Sequence, residues 1–579
     1  MNYTGFPSID KPWLKYYSEE DFDISIPTCN IYQNIYELNR EYSENVAIMY
    51  FNNRIKYKEL FSSTEICARA LRSIGIQRGD CVTLCSAAVP EAIYLVLACS
   101  RIGAIANFLN PLFNKEQLLE RINESESRWL FVLDAMFSYV KDSLENSCIE
   151  NVVIIPVANS FSPFLAKVLG HNYRTRKLIK NGNGIQRFIH WNDFCDYSLS
   201  FANEPDVSFQ PDTPVIMVYS SGSTGASKGI LLTNEGINAT IANYTISNMH
   251  IDRGDTFLQM IPVWFSTGIV ISVLMPLAKG AIVIPEPKFS KETFQRDLKR
   301  YRPSVTLAAT SLWLYVVNTN EKIDFSNMKY PTSGGEKILP LDELRINDYL
   351  KSNGCKTRLY KGYGMCELGS EICGDNDAPG YQGKLGGCGY PILNVIVSVF
   401  SLDTDEELKY GEHGEIRVIS PARMKAYFKN NTATESFFKT DDQGRVWGCT
   451  GDIGYIDEDG ELFVLGRTND CCIRGDQKVY LFDIEEKIFD IEAINQCKVI
   501  DTEIDGEECL VAHIVLRSEN ADESDILRTI HNHLKDTLPD YMIPRYYKIR
   551  KTMPVHTNGK RDVAALRNDI DKLVEIIQS

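Results

Sequence analysis

Short apolar runs alternate with helix-like segments through the first half of the chain. Residues 81–86 read as a strand, and residues 90–102 as a buried helix opened by Pro90. Residues 152–157 and 215–219 are further apolar runs of strand length. The most apolar stretch, 268–278, is too short to span a bilayer and contains Pro276, so it predicts a buried helix. Lys279-Gly280 stops that helix, and residues 282–285 follow as a strand. This alternation predicts α/β layers with largely parallel strands.

From about Leu393 the pattern changes to short strands and tight turns, at 395–402, 414–419, 454–457 and 461–465, with Asp459-Gly460 as a hairpin signal. A smaller unit begins after Gly466. It has an acidic helix near 483–491, a strand near 509–516, a helix near 525–537 and a break at Pro539 and Pro544. No internal repeat or low-complexity tract is visible, and the locally basic residues 163–190 have no assigned role.

Composition narrows the class. A chain of 579 residues is too long for one ordinary core, and 44% hydrophobic with 24% charged residues is the balance of a soluble globular protein. A formal charge of −16 argues against nucleic acid or an anionic membrane surface as partner, yet allows a local cationic pocket for ATP. Sixteen scattered cysteines without a CxxC pair, and a start with no basic region or apolar export core, lead us to expect a reduced, cytoplasmic protein without membrane insertion. The histidines form no metal-ligand spacing, and no GxSxG elbow is present.

The candidate chemistry begins at Tyr219 to Gly229. Ser220, Ser221, Gly222, Ser223, Thr224, Gly225 and Lys228 follow an apolar strand directly, an arrangement that turns backbone N–H groups and hydroxyls toward a multiply charged anion such as a nucleotide phosphate. It is not the Walker loop, because Ser227 precedes the lysine and Gly229 follows it. A solvated, flexible Gly/Ser loop is the plain alternative. Tyr363-Gly364-Met365-Cys366-Glu367 then joins an aromatic face, a tight turn and a carboxylate. Asp452 could bind sugar hydroxyls; Arg467 follows, and Asn558-Gly559-Lys560 lies near the C-terminus. Each is ordinary alone; the five in this order are not.

On these residues the chain resembles the adenylate-forming superfamily of acyl-CoA synthetases, nonribosomal-peptide adenylation domains and luciferases, over roughly residues 30 to 570. Tyr57-Lys58-Glu59-Leu60, Ser333-Gly334-Gly335-Glu336, Gly411 to Ile416 and Leu538 to Pro544 are further matches. The resemblance implies a large multi-layer N-terminal domain, residues 1–468, with parallel sheets and a distorted β-barrel. It also implies a small, mobile α+β domain, residues 469–579, which carries the catalytic lysine and is hinged at Asn469.

The activity so implied is ATP-dependent conversion of a carboxylic acid to acyl-AMP with pyrophosphate release, then transfer to the thiol of coenzyme A. Lys560 would bridge the acid carboxylate and the α-phosphate, Glu367 would hold Mg²⁺, and Lys228 with the Ser220–Gly225 residues would close over the outer phosphates. Tyr363 would stack on adenine, Asp452 and Arg467 would hold ribose, and Gly335, Glu336, Gly364, Met365 and Cys366 would line the nucleotide. Trp264, Phe265, Gly268, Ser333, Gly334 and Gly362 would line the acid pocket.

Three positions depart from the superfamily pattern. Cys366 replaces threonine, a stronger donor. Phe265 cannot pair with an α-ammonium, so an apolar medium- or long-chain fatty acid or aryl acid is expected over an amino acid. Asp476 falls where the thiol tunnel has glycine, which leaves the acceptor open between CoA and a separate carrier protein. A nucleotide-binding module without turnover is the reading from another class.

Overall fold

A computed structural model describes the chain except residues 1–2, 24, 163–164, 166–174, 176–177, 180–185, 203, 205, 221–226, 247–248, 475–476, 519–521, 555–561 and 577–579. The chain forms two compact units. One comprises residues 1–412, 417–450 and 455–463; the other comprises 413–416, 451–454 and 464–579.

The larger unit contains a seven-stranded and a nine-stranded sheet. In the first, Cys81–Cys85, Ile105–Phe108, Trp129–Leu133, Asn151–Ile155 and Arg187–His190 pair in parallel, as does β1 (Pro214–Tyr219) with Ile105–Phe108. Only β2 (Gly229–Thr233) is antiparallel, folding back on β1 with Tyr219 opposite Gly229. The helix Pro90–Ile102 is buried almost throughout, as its apolar run from Ala92 to Cys99 requires. Proline opens it, and Gly103, at φ 76°, accepts the left-handed turn that closes it.

Helix α1 (Asn234–Ile246) follows β2. The expected buried helix is present but begins as a π-helix, Thr267–Leu274, and becomes α-helical only over Met275–Ala278. Gly268 explains this start: a Cβ there would lie 2.0 Å from the Pro262 carbonyl oxygen, so only glycine allows the turn to close. In the nine-stranded sheet, β3 (Tyr330–Gly334) and β4 (Tyr360–Tyr363) are parallel, and antiparallel pairs lie at its edges.

The strands read between 395 and 465 lie in a five-stranded sheet that remains open among the described residues, where a distorted β-barrel was expected. The strand read at 454–457 is only the end of a longer one, Val446–Ile456. The smaller unit is α+β. Strands Ile494–Ile504 and Glu507–Leu516 meet through Asp505-Gly506, and helices Leu481–Phe489 and Glu523–Thr537 contribute Ile484, Ile488, Leu527, Ile530 and Leu534 to its core. No helix of the described residues is long and apolar enough to cross a membrane. All sixteen cysteines are free thiols.

One buried group gives the smaller unit an acid limit. His513 is fully buried, its Nδ1 accepts from Arg550 Nε at 3.0 Å, and burial with the nearby Arg550 and Lys548 charges depresses it to about 4. Folded, the ring stays neutral, whereas the unfolded imidazole takes a proton near pH 6.5. Stability from this source is therefore complete above pH 6.5 and is lost as pH falls toward 4, by about 3 kcal/mol in all. His513→Gln keeps an acceptor for Arg550 without a titrating ring. Hydrogen-exchange protection factors of Glu507–Leu516, corrected for the pH dependence of intrinsic exchange, are expected to fall less between pH 7 and 4.5 in that variant than in the parent.

Candidate active site

The phosphate-loop candidate is pinned at its neck. Ser220 N–H donates to the Lys228 carbonyl at 2.9 Å, and Lys228 N–H donates to Ser220 Oγ at 3.0 Å. This reciprocal pair extends the β1–β2 ladder by one step and fixes where Lys228 leaves the sheet. Ser221, Gly222, Ser223, Thr224 and Gly225 lie outside the described residues, as do Lys560, Gly475 and Asp476.

Strand β4 ends at Tyr363, and the chain turns back on itself at once. Leu368 and Ser370 N–H both donate to the Met365 carbonyl, at 3.2 and 3.0 Å, around the short turn Cys366–Leu368. Gly369 and Ser370 then hold φ of 90° and 81°, and a non-glycine residue in that region marks stored backbone strain. The turn is so tight that a Cβ on Gly364 would lie 1.7 Å from the Ser370 carbonyl oxygen. It places Glu367 in the interior at 7% exposure, while Cys366 stays half-buried.

Residues 424–428 clamp this turn to β2. Met424 N–H donates to the Glu367 carbonyl at 2.7 Å; Lys425 N–H donates to the Leu231 carbonyl at 2.9 Å; Phe428 N–H donates to the Gly229 carbonyl at 2.7 Å. From the clamp, Tyr427 OH donates to Glu367 Oε1 at 3.0 Å, and Lys228 Nζ stands 5.2 Å from the centre of the same ring. Burial, followed by the Glu367 charge, holds the Tyr427 phenol far above its ordinary range, so it stays a donor. Tyr427 was not legible in the sequence. It lies 60 residues from Glu367 in a coil without periodic pattern, and only the fold brings the two together.

The acid-pocket candidates fall on two surfaces of the same unit. Gly334 and Gly362 pair in register, so β3 and β4 present adjacent positions without side chains on one face of the sheet. Ser333 points to the other face and hydrogen-bonds Thr310 at 2.9 Å. Trp264 and Phe265 form a turn ahead of the π-helix, where Gly268 N–H donates to the Phe265 carbonyl at 3.0 Å, and their rings lie 6.4 Å apart. Glu336, expected at the nucleotide, is exposed and spends both carboxylate oxygens on Ser311 N–H and Oγ, at 2.9 and 3.1 Å. Gly335 beside it has φ 80° and open space around it.

In the smaller unit Arg467 Nε pairs with Asp452 Oδ1 at 2.7 Å, and Thr468 N–H donates to the Gly451 carbonyl at 2.9 Å. The two candidate ribose residues are thus one ion pair across neighbouring strands.

The AMP-binding enzyme family matches residues 36–428, and its C-terminal domain matches residues 483–560. With the first match covering most of its length, the chain belongs to the AMP-binding enzymes, the adenylate-forming class of ligases. A long-chain-fatty-acid–CoA ligase of Bacillus subtilis is 23% identical over 558 residues, 95% of this chain and 96% of the relative. 4-Coumarate:CoA ligase 1 of Petunia hybrida is 24% identical over 90% of this chain and 89% of its own length. Among solved structures, an anthranilate CoA ligase in complex with anthranoyl-AMP superposes with TM-score 0.76 at 18% identity, covering 94% of this chain and 98% of that one. ATP-bound MatB from Rhodopseudomonas palustris gives TM-score 0.73 at 21% identity, over 93% and 98%.

Proposed function

We propose that the chain is an AMP-forming acid–thiol ligase with coenzyme A as acceptor. An acid carboxylate oxygen bonds to the α-phosphorus of ATP as the bond to pyrophosphate breaks. The CoA sulfur then bonds to the acyl carbon as the bond to AMP breaks, and the thiol proton is released. The carrying observation is the meeting at Tyr427 of the expected metal ligand and the expected phosphate cation: its hydroxyl is 3.0 Å from Glu367 and its ring centre 5.2 Å from Lys228.

The residues fit magnesium. Among the described residues no group of three His, Cys, Asp or Glu stands together, whereas Mg²⁺ takes one or two carboxylates and completes its shell with phosphate and water. Glu367 would hold it, and it would neutralise phosphate charge as the anionic acid approaches. Lys228 and the Ser220–Gly225 residues would receive the outer phosphates, and Tyr363 the adenine. Gly335, Gly364, Met365 and Cys366 would line the nucleotide, and the Asp452–Arg467 pair would meet the ribose. Residues 1–468 would form the adenylation domain and 469–579 the domain carrying Lys560. CoA is favoured as acceptor by the names of the relatives, and the free thiols favour a reducing, cytoplasmic setting.

Pyrophosphate release from a panel of fatty and aryl acids, with and without CoA, tests this reading. Acid-dependent exchange, with AMP release that needs CoA, is expected; no exchange with any acid would sink it. For Tyr427→Phe we expect retained ATP binding in calorimetry but a roughly tenfold higher Mg²⁺ concentration for half-maximal exchange, since a lost hydrogen bond to a charged group is worth about 1.5–3 kcal/mol. An unchanged magnesium requirement would remove Tyr427 from this role.

A further inference from the structure

Buried polar atoms without a partner are rare in folded proteins, and each calls for an explanation. Here Trp264 Nε1, Ser266 Oγ, Ser370 Oγ and Glu371 Oε2 are all sealed from solvent with no hydrogen-bond partner. They sit on two segments, the turn before the π-helix and the turn that follows Glu367, each carrying a residue already placed at the acid or nucleotide site. Glu371 is the most demanding of the four, because it is a carboxyl group with one buried oxygen left unpaired.

Its position is specific. Glu371 Oε1 lies 3.4 Å from the point where a side chain on Gly362 would begin, so the carboxyl occupies the face that Gly334 and Gly362 leave bare. Tyr244, on α1, faces the same carboxyl, and α1 packs against the π-helix that bears Gly268. Burial is the main influence on Glu371 and lifts it to about 7, with Asp375 adding to the rise and Tyr244 opposing it. The Tyr244 phenol is driven well up by burial and by Glu371, and so remains protonated. The bare face of β3 and β4 is therefore bounded by a polar group, in contrast with the wholly apolar pocket expected from Phe265 and the 268–278 run.

We propose that Glu371 is a specificity-determining residue of the acid pocket and selects a carboxylic acid bearing a hydrogen-bond donor, a hydroxyl or an amino group, on its chain or ring. This rests on the ligase reading above. The Tyr244 hydroxyl hydrogen-bonds this carboxyl but leaves Oε2 without a donor, so a plain hydrocarbon acid leaves that oxygen unpaired whereas a donor on the acid would pair it. Sites built to hydrogen-bond a substrate group discriminate strongly against analogues that lack it.

Matched acids, assayed by pyrophosphate exchange on the full chain, test the proposal: benzoate against 4-hydroxybenzoate and 4-aminobenzoate, and octanoate against 8-hydroxyoctanoate. The parent is expected to show a kcat/KM about tenfold or more higher for the donor-bearing member of at least one pair. Glu371→Leu should collapse that ratio about ten- to a hundredfold, read as the ratio of kcat/KM for the two matched acids on the same preparation. Glu371→Gln, which retains an acceptor oxygen and the side chain's shape, should keep most of the preference. A parent that favours the unsubstituted acid in every pair overturns the proposal, even if Glu371→Leu fails to fold, but leaves the ligase reading standing. So does a ratio unchanged in Glu371→Leu. Absence of exchange with every acid overturns the ligase reading, and this inference with it.

Discussion

Gly364→Ala is expected to lower acid-dependent pyrophosphate exchange by about a hundredfold or more, the loss typical when reacting groups are displaced by about 1 Å. The new methyl carbon would stand 1.7 Å from the Ser370 carbonyl oxygen and 2.9 Å from Glu371 Cα, both main-chain positions that no rotamer change can clear. Nor can the opposing strand readily retreat. Ser370 is held by its bond to the Met365 carbonyl, already sits at φ 81°, and follows Gly369, where a Cβ would lie 2.3 Å from Ala422. The clash must therefore open the turn and carry Glu367 away from Tyr427. Exchange kinetics, with circular dichroism to verify folding, provide the check. A folded variant within tenfold of the parent rate would show that the turn has room the geometry denies it.

Lys560→Ala is expected to cut adenylate formation by about a thousandfold, a magnitude at the upper end for one lost charge-stabilising group at a reacting centre. ATP binding should survive, because on the reading proposed above Lys228 supplies a separate cation for the outer phosphates. Thioester formation from added acyl-adenylate and CoA should also survive, since no second anion has to be brought to a phosphate in that step. Lys560 lies outside the described residues, so the prediction rests on the Asn558-Gly559-Lys560 sequence and on the superfamily resemblance. Single-turnover assays of the two half-reactions separate the outcomes. Equal losses in both would make the lysine a general support of the fold.

Punctuation explains which elements were legible. Pro90 and Gly103 bracket a helix whose observed limits, Pro90–Ile102, match those read from sequence. The stretch ending at Ala278 has Ser272 as its one polar side chain, too little to set a register, so its length and burial were readable but its π-helical start was not; that depends on how close Gly268 comes to Pro262. Gly448 and Gly451 interrupt the apolar pattern of Val446–Ile456 and hid most of that strand. Ile494–Ile504 was missed because Asn495, Gln496 and Lys498 break its early alternation.

At the site, short motifs revealed their own residues and nothing about their supports. Glu367 and Lys228 could be named because each sits in a compact pattern. Tyr427 and Glu371 could not be assigned, although a carboxylate directly ahead of the apolar Ile372-Cys373 is a signal that could have raised suspicion over Glu371.

The clamp at 424–428 also has a temporal consequence. A ribosome delivers Glu367 well before Met424, and until that later segment has emerged the glutamate's carbonyl lacks its 2.7 Å donor and its carboxylate lacks the Tyr427 hydroxyl. The hairpin made by β1 and β2 waits for the same residues to cover its outer edge. The support around Glu367 should consequently form in one late step of synthesis, and nascent chains halted short of Phe428 should carry the Glu367 turn without its clamp.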